Sequence, residues 1–168
     1  MEKQVTHAAR ENEAAFFALA NHPLKLRLYL LTNLPAAFFS GLRVVKADTE
    51  RCLVTVRYKR FTKNPFRSTY FACLSMAAEL STGLLAMANV YRRRPAVSML
   101  ITGMEANFHK KATGLTTFSC QDGIRIKEAV DAALQSGEGQ ELNVSSIGKN
   151  EIGEVVASFT FTWSFKRK

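Results

Sequence analysis

Residues 68–91, STYFACLSMAAELSTGLLAMANVY, form a nearly uncharged stretch in which Glu79 carries the only formal charge. As an α-helix of about five turns or more, the stretch has apolar or small side chains on nearly every side. Such a helix must be buried all round, either in a protein core or in a membrane. Its Ser, Thr, Gly and Asn residues, and the strand patterns beside it, favour the core of a domain.

The segments on both sides of this helix have the two-residue periodicity of β-strands. An amphipathic helix is predicted over residues 122–135. In the last strand the apolar residues alternate with Ser and Thr, and they share one face: Val155, Ala157, Phe159, Phe161, Trp163 and Phe165. The predicted strands lie within residues 42–61, 97–109, 115–121, 141–147 and 155–165, the first range containing two strands.

Two helices are predicted in residues 5–34, with a break at Asn21-His22-Pro23 that places Pro in the first turn of the second helix. Leu24, Leu28 and Leu31 form an apolar stripe on that helix, and Pro35 ends it. The length suits one domain, residues 1–168, with an N-terminal helical segment (1–36) and a core (37–168). Because most strand connections are too short for parallel crossovers, the prediction is an α+β fold with a curved antiparallel sheet wrapped around a central helix.

The net charge indicates which partners the protein can attract, and the cysteine spacing indicates the redox compartment that it fits. Lys and Arg outnumber Asp and Glu by 23 to 14, and the formal charge of +9 attracts polyanions such as nucleic acid, anionic lipid or a phosphate-rich cofactor. Cys52, Cys73 and Cys120 have no zinc-ligand or disulfide spacing, which fits a reducing compartment. The first residues lack an apolar signal core. We therefore expect a cytoplasmic protein without a metal site or a membrane span.

The carboxylate of Glu79 has three interpretations: an ionisable residue in a membrane helix, a buried ion pair, or a chemical group held in an apolar pocket. The start of the helix favours the third. Asn64 precedes the helix, and the first turn at Tyr70-Phe71-Ala72 offers free N–H groups and a positive dipole end for a developing oxyanion. These parts lie about two turns from Glu79, so a second, antiparallel copy of the helix would unite them more easily.

The pattern Asn-Pro-Phe, Tyr-Phe-Ala and Ala-Glu-Leu resembles the hotdog-fold acyl-CoA thioesterases, in a branch described as a domain of unknown function. In those enzymes an Asn precedes the central helix, a His-Gly-Gly sequence starts it, and an acidic residue lies within it. Asn64 and Glu79 stand at the Asn and acid positions, and Tyr70, Phe71 and Ala72 replace His-Gly-Gly. The resemblance extends from about Gly41 to Phe165.

The resemblance implies a homodimer or tetramer in which two subunits form a continuous sheet with their central helices side by side. The acid of one subunit activates water or attacks an acyl-CoA or acyl-carrier thioester. The Asn and helix N-terminus of the other subunit position the water and polarise the carbonyl. Thr82 is a candidate for assisting Glu79, although a hydroxyl bonded to its own helix is the commoner role. No cofactor is required, since coenzyme A enters as part of the substrate.

Three further candidates have simpler alternatives. Arg92, Arg93 and Arg94 suit the phosphates of coenzyme A, or form a solvated helix end. His109, beside Lys110, is a candidate base or a residue at a solvated strand end. Cys73 is interpreted as a packing residue. The alternative to hydrolysis is a non-catalytic acyl-binding, CoA-binding or dimerisation module on the same scaffold. Nucleic-acid binding is suggested by charge alone, without the interleaved aromatic and basic residues of a stacking surface.

Overall fold

The computed structural model describes residues 2–168, with side chains from residue 7 onward. Six strands form one antiparallel sheet in the order β1-β2-β4-β5-β6-β3. The elements are α1 (Glu2–Ala20), α2 (Pro23–Asn33), α3 (Pro35–Ser40), β1 (Arg43–Ala47), β2 (Cys52–Arg57), α4 (Phe71–Val90), β3 (Val97–Phe108), β4 (Leu115–Cys120), α5 (Gly123–Ser136), β5 (Gln140–Lys149) and β6 (Val155–Arg167).

The sheet curves around α4, which packs against β2, β4, β5 and β6 and is flanked by α1 and α5. Large aromatic side chains fill the space between the helix and the sheet, among them Phe118, Phe159, Phe161 and Phe165. The α+β architecture with a central helix and N-terminal helices, predicted from the sequence, is therefore confirmed.

The alternation predicted for β6 holds from Ala157 to Phe165 but not at the start of the strand. There Val155 is exposed, and Val156 is buried instead. The pairing between β5 and β6 shifts register between Gly148 and Lys149, opposite this point. Because one extra residue reverses which side chains point inward, the prediction for Val155 was wrong.

Pro35 ends α2 as predicted, but it also begins a short helix, α3, that the sequence analysis did not predict. Proline suits the first turn of a helix because the N–H that it lacks has no partner there. Gly41 ends α3 in a left-handed conformation with φ of 74°, which glycine adopts at little cost.

The apolar stripe of α2 faces away from the core. Leu24 is 75% exposed and Leu28 is 63% exposed, and Leu31 is also exposed, whereas Leu26 and Leu30 are buried. The helix therefore has apolar side chains on two faces, and the domain covers one of them. The other apolar face is exposed to solvent, and an exposed apolar face of this kind indicates contact with a partner outside the chain.

Among the helices of residues 2–168, only α4 is long and apolar enough to cross a membrane, judged by length and composition. However, 67% of its most apolar window is buried inside the domain, as expected for a core helix. Polar groups on its buried faces have partners: the hydroxyls of Ser81 and Ser146 lie 2.8 Å apart, and Asn89 donates to its own helix at the Leu85 carbonyl.

Candidate active site

A cavity of about 550 Å³ opens at the N-terminal end of α4. Two segments line most of it, residues 64–71 and 108–112. Thr69 joins them, because its backbone N–H and its hydroxyl both donate to the carbonyl of Ala112, at 2.8 and 3.0 Å. The loop before the helix is thus held against the end of β3.

Asn64 lies in this cavity and organises the loop around it. Its side-chain oxygen accepts from the backbone N–H of Phe66 at 3.0 Å and of Ser68 at 3.1 Å. Its Nδ2 donates to the Ser68 hydroxyl at 3.1 Å. The amide has two N–H donors, and the second has no acceptor among the described residues. Asn64 therefore has a structural role through its oxygen and a free donor at the cavity.

The first turn of α4 begins at Tyr70, which provides no side-chain cap. Ser68, a residue type that often caps helices, is bonded to Asn64 instead. Within the described chain the backbone N–H groups of Phe71 and Ala72 donate to no acceptor, whereas Cys73 and Leu74 already donate to the Tyr70 carbonyl. Two free donors at a positive helix end form a site that favours a developing negative charge.

One wall of the cavity consists of exposed aromatic rings. The rings of Tyr70 and Phe71 lie 4.8 Å apart, and those of Phe71 and Phe108 lie 6.4 Å apart. Phe108 continues inward to Phe159 of the core at 5.7 Å. Exposed rings that line a cavity offer an apolar surface for the hydrocarbon part of a ligand.

Glu79 lies on α4 outside this cavity. Among the described side chains none donates to its carboxylate, and no basic nitrogen lies within the 4.0 Å of an ion pair. Burial therefore raises the pKa of Glu79 above its ordinary value of 4.5. Space for the carboxylate exists because residue 83 is glycine: a Cβ there would lie 2.9 Å from its Oε1 and 3.5 Å from Cζ2 of Trp163.

Thr82 bonds to the backbone of its helix and to the sheet, not to the Glu79 carboxylate. Its hydroxyl donates to the backbone carbonyl of Glu79 at 3.0 Å and accepts from the Trp163 indole N–H at 3.1 Å. It thereby fixes the indole ring, which lies next to Gly83 on the same helix as Glu79.

The structure brings Asn64, Tyr70 and Phe71 together but separates them from Glu79. Glu79 lies eight positions after Phe71 on the helix, a rise of about 12 Å. Arg92–Arg94 follow the opposite end of α4, about 28 Å from Phe71 along the helix axis. Arg93 is ion-paired with Asp131 and is 15% exposed, and the Arg92 guanidinium lies 5.1 Å from the centre of the Tyr91 ring.

The basic end of β3 joins the site, whereas the sequence indicated only a candidate base at His109. His109, Lys110 and Lys111 all line the cavity. His109 Nε2 lies 3.1 Å from the Ser158 hydroxyl, and Lys110 is paired with Glu154. Lys111 has no carboxylate within 4.0 Å among the described residues. Three consecutive basic side chains were visible in the sequence, but their contact with the loop at Asn64 depends on tertiary structure.

The cysteines do not extend the site. Cys52, Cys73 and Cys120 are free and buried. Burial raises the pKa of Cys120 to about 12 and that of Cys52 further, so both thiols stay protonated. Among the side chains of residues 7–168, no group of three or more from His, Cys, Asp or Glu is placed to hold a metal ion.

Comparison with protein families matches residues 29–165 to a family described as "Domain of unknown function (DUF4442)". The chain belongs to this family. No curated protein sequence matches the chain. The match excludes α1 and the first turns of α2 and includes every residue of the candidate site.

Solved structures show which fold this DUF4442 protein shares. A Pseudomonas aeruginosa protein of unknown function, described as a probable thioesterase, aligns with a TM-score of 0.72 and 22% identity, covering 87% of this chain and 97% of its own. A thioesterase from Haemophilus influenzae aligns with a TM-score of 0.62 and 13% identity, covering 83% and 88%. A Chlorobaculum tepidum protein of unknown function aligns with a TM-score of 0.71 and 14% identity, covering 86% and 93%. At these identities the likeness shows the fold, which is the hotdog fold expected from the sequence.

Proposed function

We propose that this protein hydrolyses an acyl-CoA or a related thioester at a site shared by two identical subunits. The observation that carries the proposal is that one chain contains both halves of a hydrolytic site but holds them too far apart to act together. The cavity and the free donors lie at the start of α4, while the unpaired carboxylate of Glu79 lies about 12 Å along the same helix. The names of solved relatives on this fold add support for the thioester class.

Two surfaces support association of two copies. Strand β3 lies at the edge of the sheet, and among the described strands it pairs with β6 alone; it exposes Leu100 and Met104. On α4, the half-buried residues recur at roughly helical spacing, and they are Ala72, Ser75, Met76, Glu79, Met87 and Val90. An edge strand that pairs with its own copy would extend the sheet and bring the two α4 stripes together. The antiparallel arrangement would place Glu79 of the partner subunit near Asn64 and Phe71.

The chemistry then follows from the groups available. The thioester carbonyl oxygen accepts from the N–H groups of Phe71 and Ala72, with Asn64 Nδ2 as a further donor to this oxygen or to the attacking water. Glu79 of the partner subunit takes a proton from the water as its oxygen bonds to the carbonyl carbon. The carbon–sulfur bond breaks, and the leaving thiolate takes the proton held by Glu79 of the partner subunit, which restores the carboxylate. A carboxylate with a raised pKa is a stronger base for this transfer than an ordinary one.

The aromatic wall and the basic end of β3 suit the two ends of such a substrate. The acyl chain packs on Tyr70, Phe71 and Phe108, and the phosphates of the leaving group lie toward Lys111. Arg92–Arg94 remain candidates for the same phosphates only as a contribution from the second subunit, because they are distant within one chain.

Replacing Lys111 by Gln is expected to raise KM for an acyl-CoA about fivefold, the size of one solvent-exposed charge contact, and to leave kcat nearly unchanged. The matched substrate is the same acyl group on N-acetylcysteamine, which lacks the phosphates and should not respond to the change. Arg92→Gln is the comparison variant. If Arg92→Gln raised KM and Lys111→Gln did not, the phosphates would be assigned to the arginine cluster.

Subunit complementation tests the shared site directly. Asn64→Ala and Glu79→Gln homodimers should each be nearly inactive. After the two are mixed and allowed to exchange subunits, about one quarter of wild-type activity should return, because half of the dimers are then mixed and each has one intact site. Thiol release from an acyl-CoA is the readout. No recovery in a mixture shown to contain mixed dimers would refute a site built from two subunits.

A non-catalytic acyl-CoA-binding module is the second candidate, and two observations favour it. The Asn64 oxygen is already used by the loop, and Tyr70-Phe71-Ala72 replaces the residues that start the helix in the enzymes it resembles. A panel of acyl-CoAs of different length and polarity, measured for both binding and thiol release, separates the two functions. Tight binding without turnover across the panel would favour the binding module.

A further inference from the structure

A second cavity, of about 580 Å³, lies against β1, at the edge of the sheet opposite to β3. Four cationic side chains line it, and no carboxylate does: Arg27, Arg43, Arg57 and Lys59. Of these, only Arg57 lies within ion-pair distance of a described carboxylate, Glu151 at 4.0 Å, and both side chains are well exposed. An exposed pair at that distance neutralises little charge, so the cavity is strongly positive.

Exposed apolar side chains surround these cations. Phe39, Val45 and Phe61 line the cavity and are exposed, Phe61 by 73%. Arg27 and Arg43 also line an adjoining groove of about 310 Å³ that includes Leu24. Leu28 and Leu31 continue from Leu24 along the same face of α2. We call this continuous region of α2, α3, β1 and the start of the loop after β2 the basic edge surface.

The charge of the basic edge surface limits what can cover it. A symmetric interface between two copies of the same patch would set its four cations against four more, which is unfavourable. The partner must therefore be anionic. It must also accept protruding leucine side chains, and these have no complementary partner on the sugar-phosphate backbone or base edges of a nucleic acid. A lipid bilayer with anionic headgroups offers both a negative surface and an apolar interior.

We propose that the basic edge surface docks this protein on an anionic lipid bilayer, with α2 lying in the plane of the membrane. Leu24, Leu28, Phe39 and Phe61 enter the boundary between headgroups and acyl chains, and Arg27, Arg43, Arg57 and Lys59 bind lipid phosphates. This docking does not depend on thioester hydrolysis. The surface lies at the far edge of the sheet from β3, so two subunits joined at β3 would keep it uncovered.

Co-sedimentation with vesicles tests the docking. The protein should bind vesicles of phosphatidylcholine with about 30% phosphatidylglycerol, but not vesicles of phosphatidylcholine alone, because the negative surface potential of anionic lipid attracts basic side chains. Arg43→Gln/Arg57→Gln should weaken the partition coefficient about thirtyfold, since each surface cation contributes about fivefold. Leu24→Ser/Leu28→Ser should weaken it on the order of tenfold through lost apolar insertion.

The control variant is Lys166→Gln/Lys168→Gln, which removes the same charge from exposed positions at the end of β6. It should retain most of the binding, and circular dichroism should show that all three variants are folded. Equal loss in the arginine variant and this control would overturn the proposal in favour of unspecific charge attraction. So would absence of binding to the anionic vesicles at low salt. Dissociation of an oligomer by the leucine variant would likewise overturn it, because the face would then be a subunit interface.

Discussion

Glu79→Gln is expected to lower the kcat of thioester hydrolysis by about 10²–10⁴-fold, the usual contribution of a general base. Glutamine has the size of glutamate but cannot accept the proton of the attacking water. Since the carboxylate has no cationic partner among the described residues, its removal leaves no unpaired charge behind. The variant should therefore fold normally. Thiol release from an acyl-CoA and thermal unfolding measure the two effects on one protein preparation.

The pH dependence of stability gives this variant a second test. Burial raises the pKa of Glu79 in the folded state, so ionised Glu79 destabilises the fold. Stability contributed by this residue is present below its ordinary pKa of 4.5 and is lost as the pH rises through the folded-state pKa. Glu79→Gln should consequently melt at a higher temperature than wild type near neutral pH. The difference should disappear below 4.5, where glutamate is also neutral.

A structural ion pair across the subunit interface predicts the opposite sign. Removing one member of a buried pair costs about 3–5 kcal/mol because the other charge stays buried alone. Glu79→Gln would then melt at a lower temperature near neutral pH. Such destabilisation together with residual thiol release would refute the catalytic role of Glu79.

Asn64→Ala is expected to lower kcat by about 10²–10³-fold, equivalent to 2.7–4 kcal/mol of transition-state stabilisation, with a smaller effect on KM. Alanine also removes the acceptor that holds Phe66 and Ser68. Asn64→Asp separates the two roles, because aspartate keeps that acceptor and loses the Nδ2 donor. Steady-state kinetics of both variants should show a comparable loss of kcat.

Ser68→Ala is the matched control for the loop. It removes the hydroxyl that accepts from Asn64 Nδ2 and leaves the Asn64 amide in place. We expect nearly normal kcat for this variant. If Ser68→Ala lost as much activity as Asn64→Ala, or if Asn64→Asp kept the wild-type rate, Asn64 would be a loop residue without a role in the chemistry.

The fold was largely predictable because its strongest constraints are local or depend on periodicity. A helix with apolar residues on nearly every side has to be surrounded by other elements, and α4 is surrounded by the sheet, α1 and α5. Period-two alternation from Phe159 to Phe165 requires one buried face of a strand, and β6 has it. The predictions failed where a single residue changes the outcome without a strong sequence signal. A register shift exposes Val155, and Pro35 starts a helix as well as ending one.

The sequence by itself determined the central helix, the sheet around it and the isolated carboxylate at residue 79, because hydrophobic periodicity and charge are carried by neighbours along the chain. Only the tertiary structure decided what surrounds those residues. It brought Lys111 to the loop of Asn64 through the Thr69 contact with Ala112. It also turned Leu24 and Leu28 outward, with Leu24 in a groove that Arg27 and Arg43 also line, since a helix with two apolar faces can bury either one against a single core. Contacts between residues distant in sequence determine which of the two faces is buried, and hydrophobic periodicity does not determine it.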